Sequence, residues 1–186
     1  GIAMTQARIG FALCGSFCTF ERTLRALEQL CAAYETVQPI MSEAAWQTDT
    51  RFGTAASFRA RIESLCGRTI WHTVTEAEPI GPKKLLDLLV VAPCTGNTLA
   101  KLAAGIADSS VTMAVKAQLR NERPVVLAVS TNDGLATAAQ NIGVLLSRRQ
   151  IFFVPFGQDD PELKPRSLVA QMEQLPETVA AALEGR

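Results

Sequence analysis

Two hydrophobic patterns alternate along this chain. Short, near-continuous apolar runs recur at 9–13, 36–41, 88–92, 125–129 and 151–154, and most are followed by small polar residues. Between them, apolar residues return at helical spacing. Ile9–Leu13 predicts a first strand, and Leu24, Leu27, Leu30 and Cys31 mark a helix with Thr19 as its candidate N-cap. Thr36–Met41 predicts a second strand, Thr48–Gly53 a polar loop, and Ala55–Cys66 a helix stopped by Gly67. Thr69–His72 reads as a short third strand. Glu76–Pro82, rich in proline and glycine, reads as a loop, and Lys83–Leu86 as a helical turn. Leu88–Ala92 is the next strand, and an Ala/Leu-rich helix begins after Pro93. Ser110–Leu119 is helical, Val125–Val129 a buried strand and Leu135–Leu146 a helix. Ile151–Val154 closes the series of strands. Pro155–Pro161 reads as a polar loop, and Ser167–Leu183 as a terminal helical region broken near Pro176.

Strands that alternate with helices, and are apolar throughout, are expected where helices cover both faces of a parallel sheet. The predicted fold class is therefore α/β: a three-layer, doubly wound, Rossmann-like parallel sheet. It forms a single domain over residues 4–186, with the region 163–186 as an appendage. The chain has 186 residues, enough for a substantial core. Its 18 basic and 18 acidic residues balance, which argues against a nucleic acid or membrane surface held by charge alone. With no basic-then-apolar leader and no long apolar run, a cytoplasmic protein is expected.

In such sheets ligands gather at the carboxyl ends of the strands. Three of these ends carry small polar turns: Gly15-Ser16, Thr95-Gly96-Asn97-Thr98, and Ser130-Thr131-Asn132-Asp133-Gly134. A glycine admits close backbone approach, and N–H groups at a helix start suit a phosphate. The turns match neither the G-x-G-x-x-G fingerprint nor a phosphate loop with G-K-[ST]. They point to a phosphate-bearing cofactor, against the plainer reading of well-capped strand–helix turns. The one histidine, His72, reads as structural rather than catalytic, and Trp46 and Phe52 as core or interface. Five cysteines without a CxxC pair read as reduced thiols, mostly buried, and no metal site is expected. Cys94 sits in a ligand turn and is the thiol expected to touch a ligand. Asp87 reads as a strand-boundary residue.

The segment Ala-Pro-Cys-Thr-Gly-Asn-Thr-Leu-Ala-Lys-Leu-Ala-Ala-Gly-Ile-Ala-Asp at 92–108 resembles the A-P-x-[ST]-A-N-T-[IL]-x-K-x-A-x-G-[IL]-x-D signature of the flavin-containing cysteine decarboxylase family. The resemblance spans about residues 8–154. It implies a Rossmann-like flavoprotein that binds FMN at the interface of a homo-oligomer, a trimer or dodecamer. Gly15, Ser16 and Phe17 would lie at the FMN phosphate, with Ser42 a further flavin contact. Thr95, Gly96, Asn97 and Thr98 would lie along the ribityl chain or ring, and Ser130 and Asn132 would face the substrate.

Two departures stand out. The decarboxylases carry a histidine shortly before the signature strand, where this chain reads Glu78-Pro79-Ile80-Gly81-Pro82-Lys83-Lys84. They also carry P-x-M-N-x-x-M-W after the next strand, of which Asn132 alone is kept. Together with Val-Pro-Phe-Gly-Gln-Asp-Asp-Pro at 154–161, these segments are similar to a dipicolinate-forming branch of the family. That branch implies oxidation of dihydrodipicolinate to dipicolinate in the mother cell of a spore-forming bacterium, together with a separate A subunit. FMN is the expected hydride acceptor, and NADP brought by the A subunit is the other nucleotide to consider. A dianionic substrate calls for cations, and Lys83 and Lys84 are the candidates. The alternatives are an FMN-dependent decarboxylase and a non-catalytic partner subunit.

Overall fold

The computed structural model describes residues 4–15 and 17–185. Among the described residues, seven strands and eight helices follow one another. The strands are β1 (Thr5–Leu13), β2 (Tyr34–Met41), β3 (Leu88–Cys94), β4 (Val125–Thr131), β5 (Ile151–Phe153), β6 (Phe156–Asp160) and β7 (Lys164–Ala170). The helices are α1 (Phe20–Ala33), α2 (Glu43–Gln47), α3 (Ala55–Cys66), α4 (Val74–Ala77), α5 (Gly96–Ala104), α6 (Ser110–Arg120), α7 (Thr137–Leu146) and α8 (Leu175–Leu183).

The parallel core of the sheet runs β2-β1-β3-β4. Opposite β3, β4 meets two partners. Its first half pairs in parallel with β5, and Ser130 and Thr131 at its carboxyl end pair antiparallel with β7. β6 then pairs antiparallel with β7. The sheet is thus mixed: a doubly wound parallel core with an antiparallel hairpin added beside the carboxyl end of β4.

Side chains alternate between two apolar layers, as strand geometry requires. Ile9, Phe11, Leu88, Val90, Val126 and Ala128 pack on the side of α1, α3 and α8. Leu89, Val91, Cys94, Val125, Leu127 and Val129 pack on the side of α5, α6 and α7. Every residue of β3 and β4 is buried, which explains their unbroken apolar runs. The α3 boundaries match expectation: Thr54 caps its start, and Gly67 in the left-handed region ends it.

Five local expectations need correction. Thr69–His72 is not a strand of the sheet; Trp71 makes an isolated bridge to Ile40. Glu76–Pro82 is not a plain loop. Thr73 and Glu76 form a capping box that starts α4, and a 3-10 turn over Glu78–Ile80 follows. Lys83–Leu86 forms no helix and lies partly in a tight turn. The polar stretch after Pro155 and the first part of the expected terminal helix are the β6–β7 hairpin. Pro176 does not break a helix: it occupies the first turn of α8, where its missing N–H costs no hydrogen bond.

Asp87 does more than mark a boundary. It accepts from the Arg8 backbone N–H at 2.7 Å and from its guanidinium at 3.2 and 3.1 Å, tying β1 to the entry of β3. Arg123 approaches the same carboxylate at 3.6 Å. The Arg8 hydrogen bonds hold the Asp87 carboxyl below the usual aspartate range. Asp87→Asn is expected to cost about 1 kcal/mol at neutral pH, a value discounted for partial exposure. The folded pKa is lowered, so this stability is present above the unfolded pKa of about 4 and fades as pH falls through the folded value. Chemical denaturation of both proteins between neutral and acid pH checks this. The gap between them should shrink as pH falls below about 4.

Candidate functional site

The carboxyl ends of β1, β3 and β4 lie on one edge of the sheet, and a cavity of about 1060 Å³ opens there. It is lined by Thr95, Gly96 and Asn97 after β3 and by Ser130, Thr131, Asn132 and Asp133 at the end of β4. Cys18 and Thr19 of the turn before α1, Arg22 of α1, and Asp159 and Lys164–Val169 of the hairpin complete the lining.

Thr95 builds the α5 side. It caps the helix by accepting from the Thr98 backbone N–H at 3.3 Å. The first N–H groups of a helix have no partner within it, so the start of α5 offers donors to the cavity. Gly96 is there for space: an added Cβ would lie 2.8 Å from Thr131 Oγ1 and 3.2 Å from Asp133 Oδ1. The two turns therefore touch, with no room for a side chain between them. Thr131 donates its hydroxyl to Asp133 Oδ1 and accepts from the Asp133 backbone N–H, which fixes the bend after β4.

Of the residues expected at the site, the structure brings together Thr95, Gly96, Asn97, Ser130 and Asn132 around one cavity. Thr98 points beneath it. It is buried, and its hydroxyl donates to Cys14 Sγ at 3.3 Å. Gly15 follows β1 on the same edge with open space where a Cβ would be, but does not line the cavity. Ser42 lies at the neighbouring end of β2. Its N–H donates to Leu13 O at 3.0 Å, while its hydroxyl accepts from the Ala45 N–H and caps α2. Phe17 opens the 3-10 turn Phe17–Thr19 that leads into α1. Ser16 lies outside the described residues.

Lys83 and Lys84 are not brought to the cavity. They precede β3, so they stand at the amino edge of the sheet, where Arg123 from the entry of β4 donates to Lys84 O. Cys94 is corrected too: it belongs to the core layer and is fully buried. Burial drives its thiol pKa well up, and burial also raises Cys14 to about 11, opposed by the Thr98 hydroxyl. Neither is poised as a nucleophile. His72 stacks on Trp46 at 3.6 Å, with the Arg59 guanidinium 4.3 Å from the Trp46 ring. Neither ring lines the cavity.

The missed residues are the cations. Arg22, Lys164 and Arg166 line the cavity, and Lys164 pairs with Asp159 at 3.6 Å. Lys164 and Arg166 are two apart, which puts them on one face of a strand. Only recognition of β7 as a strand makes that spacing informative.

A family model described as Flavoprotein matches residues 3–183. The chain belongs to the flavoprotein family. It is 48% identical over 176 residues to the B subunit of dipicolinate synthase from Bacillus subtilis (strain 168), covering 95% of this chain and 88% of that one. Among solved structures, that of the B subunit of dipicolinate synthase from Bacillus halodurans C superposes with a TM-score of 0.90 at 42% identity, covering 100% of this chain and 95% of the other. The FMN-dependent cysteine decarboxylase SpaF shares the fold, with a TM-score of 0.67 at 21% identity over 97% and 99% of the two chains. No helix among the described residues of this flavoprotein is long and apolar enough to cross a membrane.

Proposed function

We propose that this flavoprotein acts as the B subunit of a dipicolinate synthase. With the A subunit of that enzyme it would convert dihydrodipicolinate to dipicolinate, in the mother-cell cytoplasm of a spore-forming bacterium and as a homo-oligomer. The observation that carries the reading is the shared cavity. It joins a helix start at Gly96, two asparagine amides and three cations around one space. That donor set suits a phosphate-bearing cofactor and a ring with two carboxylates. Identity of 48% over 95% of the chain to a named B subunit supports the same reading.

The residues fit FMN. The cavity's volume accommodates a large ligand, and Thr95 and Asn97 line it with polar side chains at the start of α5. Gly15 leaves open space beside that edge. FMN, when bound, supplies a hydride acceptor. Thr95 and Asn97 would hold it, with Ser130 beside them. Asn132, Arg22 and Arg166 would orient the dicarboxylate, so that the ring carbon losing hydride is fixed against the acceptor. Loss of a hydride and a proton from the dihydropyridine leaves the aromatic ring. Two carboxylates line the cavity; Asp159 pairs with Lys164, and Asp133 adjoins Asn132. Asp133, whose Oδ1 accepts from the Thr131 hydroxyl, would take the proton or pass it to water.

The test is a titration of FMN into the purified protein, with and without the A subunit, followed by a dipicolinate assay. Saturable binding below tens of micromolar and a flavin spectrum are expected. Asn97→Ala should weaken FMN about tenfold, and Asn132→Ala should lower dipicolinate formation about tenfold without changing FMN affinity. No flavin binding with the A subunit present would sink the flavin route and favour NADP carried by that subunit. Full activity in both variants would instead argue for a non-catalytic role.

A further inference from the structure

The flavin and substrate reading leaves one chemically competent pair of groups unused. Cys31, near the end of α1, and Cys66, the last residue of α3, place their sulfurs 3.8 Å apart. Both are free thiols, and both are partly exposed, so a small reagent can reach them. The other thiols differ in kind: Cys14 and Cys94 are buried in the core, and Cys18 is an exposed thiol at the cavity.

We propose that Cys31 and Cys66 form a redox modification site, a dithiol that a low-molecular-weight disulfide converts to a bridge between α1 and α3. The first thiolate attacks the reagent's disulfide and releases one reagent thiol. The second attacks the mixed disulfide and releases the other. The protein loses two protons and two electrons, and the oxidant is reduced to two thiols. The sulfurs must close from 3.8 Å to about 2.0 Å, within reach of side-chain rotation on helices that already pack together. Once one proton has left, the remaining thiol hydrogen-bonds the thiolate, so the pair's first ionisation is eased and its second resisted. Glu28 and Arg68 are the charged groups that act on the pair, with opposite sign.

The bridge would close a loop spanning 35 residues. It would pin α1 to α3 at the end opposite the Phe20–Phe58 contact and the Arg61–Glu21 ion pair. α1 carries Arg22 at the cavity. The oxidised protein is thus expected to melt several degrees higher, since the crosslink restricts the unfolded chain.

The experiment treats folded protein, in a Cys18→Ser background that prevents intermolecular crosslinks, with oxidised dithiothreitol. Free thiols are then counted in denaturant and peptides are mapped by mass spectrometry. Loss of two thiols, a linked 31–66 peptide lighter by two hydrogens, and reversal by reduced dithiothreitol are expected. Cys31→Ser and Cys66→Ser should each abolish the loss. An unchanged thiol count in folded protein, or linkage that appears only after unfolding, overturns the proposal. The peptide map needs no variant at either position, so a misfolded serine variant would not obscure the answer.

Discussion

Gly134→Val is expected to destabilise this protein by about 1–3 kcal/mol through overpacking. It should also detach the hairpin that walls the cavity. A Cβ at Gly134 would lie 2.5 Å from Leu168 Cγ and Cδ1 and 2.8 Å from Leu168 Cβ. The last distance matters most, because a Cβ moves only with its backbone. Leu168 cannot retreat. It is buried in the core layer beneath the site, and it pairs with Thr131 of β4 and Gln158 of β6. The adjoining Leu135 N–H donates to Arg166 O at 3.0 Å, so the same displacement strains the strand that carries Arg166. Thermal denaturation and limited proteolysis within 156–170 measure the two effects. Gly143→Ala is the counterpart. Nothing lies within 4 Å of its added Cβ on α7, so it should gain about 0.4–1 kcal/mol. A Gly134→Val protein that melts with wild type and resists protease equally would remove the close approach from the account.

The parts of the fold that were legible are those where burial dictates residue type. β3 and β4 are buried from end to end, so their apolar runs announce them. The turn after β3 was legible for the same reason, since Thr95 must cap and Gly96 must be small. The β6–β7 hairpin was hidden because its outer residues are polar and exposed, and Phe-Gly-Gln-Asp-Asp carries no period-2 signal. Its existence depends on a tertiary contact, the pairing of Val169 and Leu168 with Ser130 and Thr131. Local propensity does not encode such a contact. The placing of the cations turns on chain direction. A loop that leads into a strand arrives at its amino end, whereas ligands gather at carboxyl ends. Lys83 and Lys84 therefore stand at the amino edge, away from the cavity, although they are close in sequence to the turn at Thr95.

That contrast yields the sharpest functional prediction. If a dianion is held in the cavity, its carboxylates must meet the cations that line it, Arg22 and Arg166, together with Asn132. A charge-assisted hydrogen bond to a carboxylate contributes about 1.5–3 kcal/mol. Arg166→Gln is therefore expected to raise KM for the dicarboxylate about 10–100-fold in the presence of the A subunit, with FMN affinity unchanged. Arg22→Gln should act in the same sense. It starts from the α1 side, so the double variant tests whether the two cations grip one ligand: the effects should not simply add. Lys164 is a weaker candidate because Asp159 already engages its ammonium at 3.6 Å. Lys83→Gln and Lys84→Gln should leave KM within about twofold, the size expected of surface changes away from a site. Steady-state dipicolinate assays on the five proteins decide between the edges. A large KM effect at Lys83 or Lys84 with none at Arg166 would move the substrate to the amino edge of the sheet. That outcome would require a neighbouring copy of the chain, or the A subunit, to complete the site.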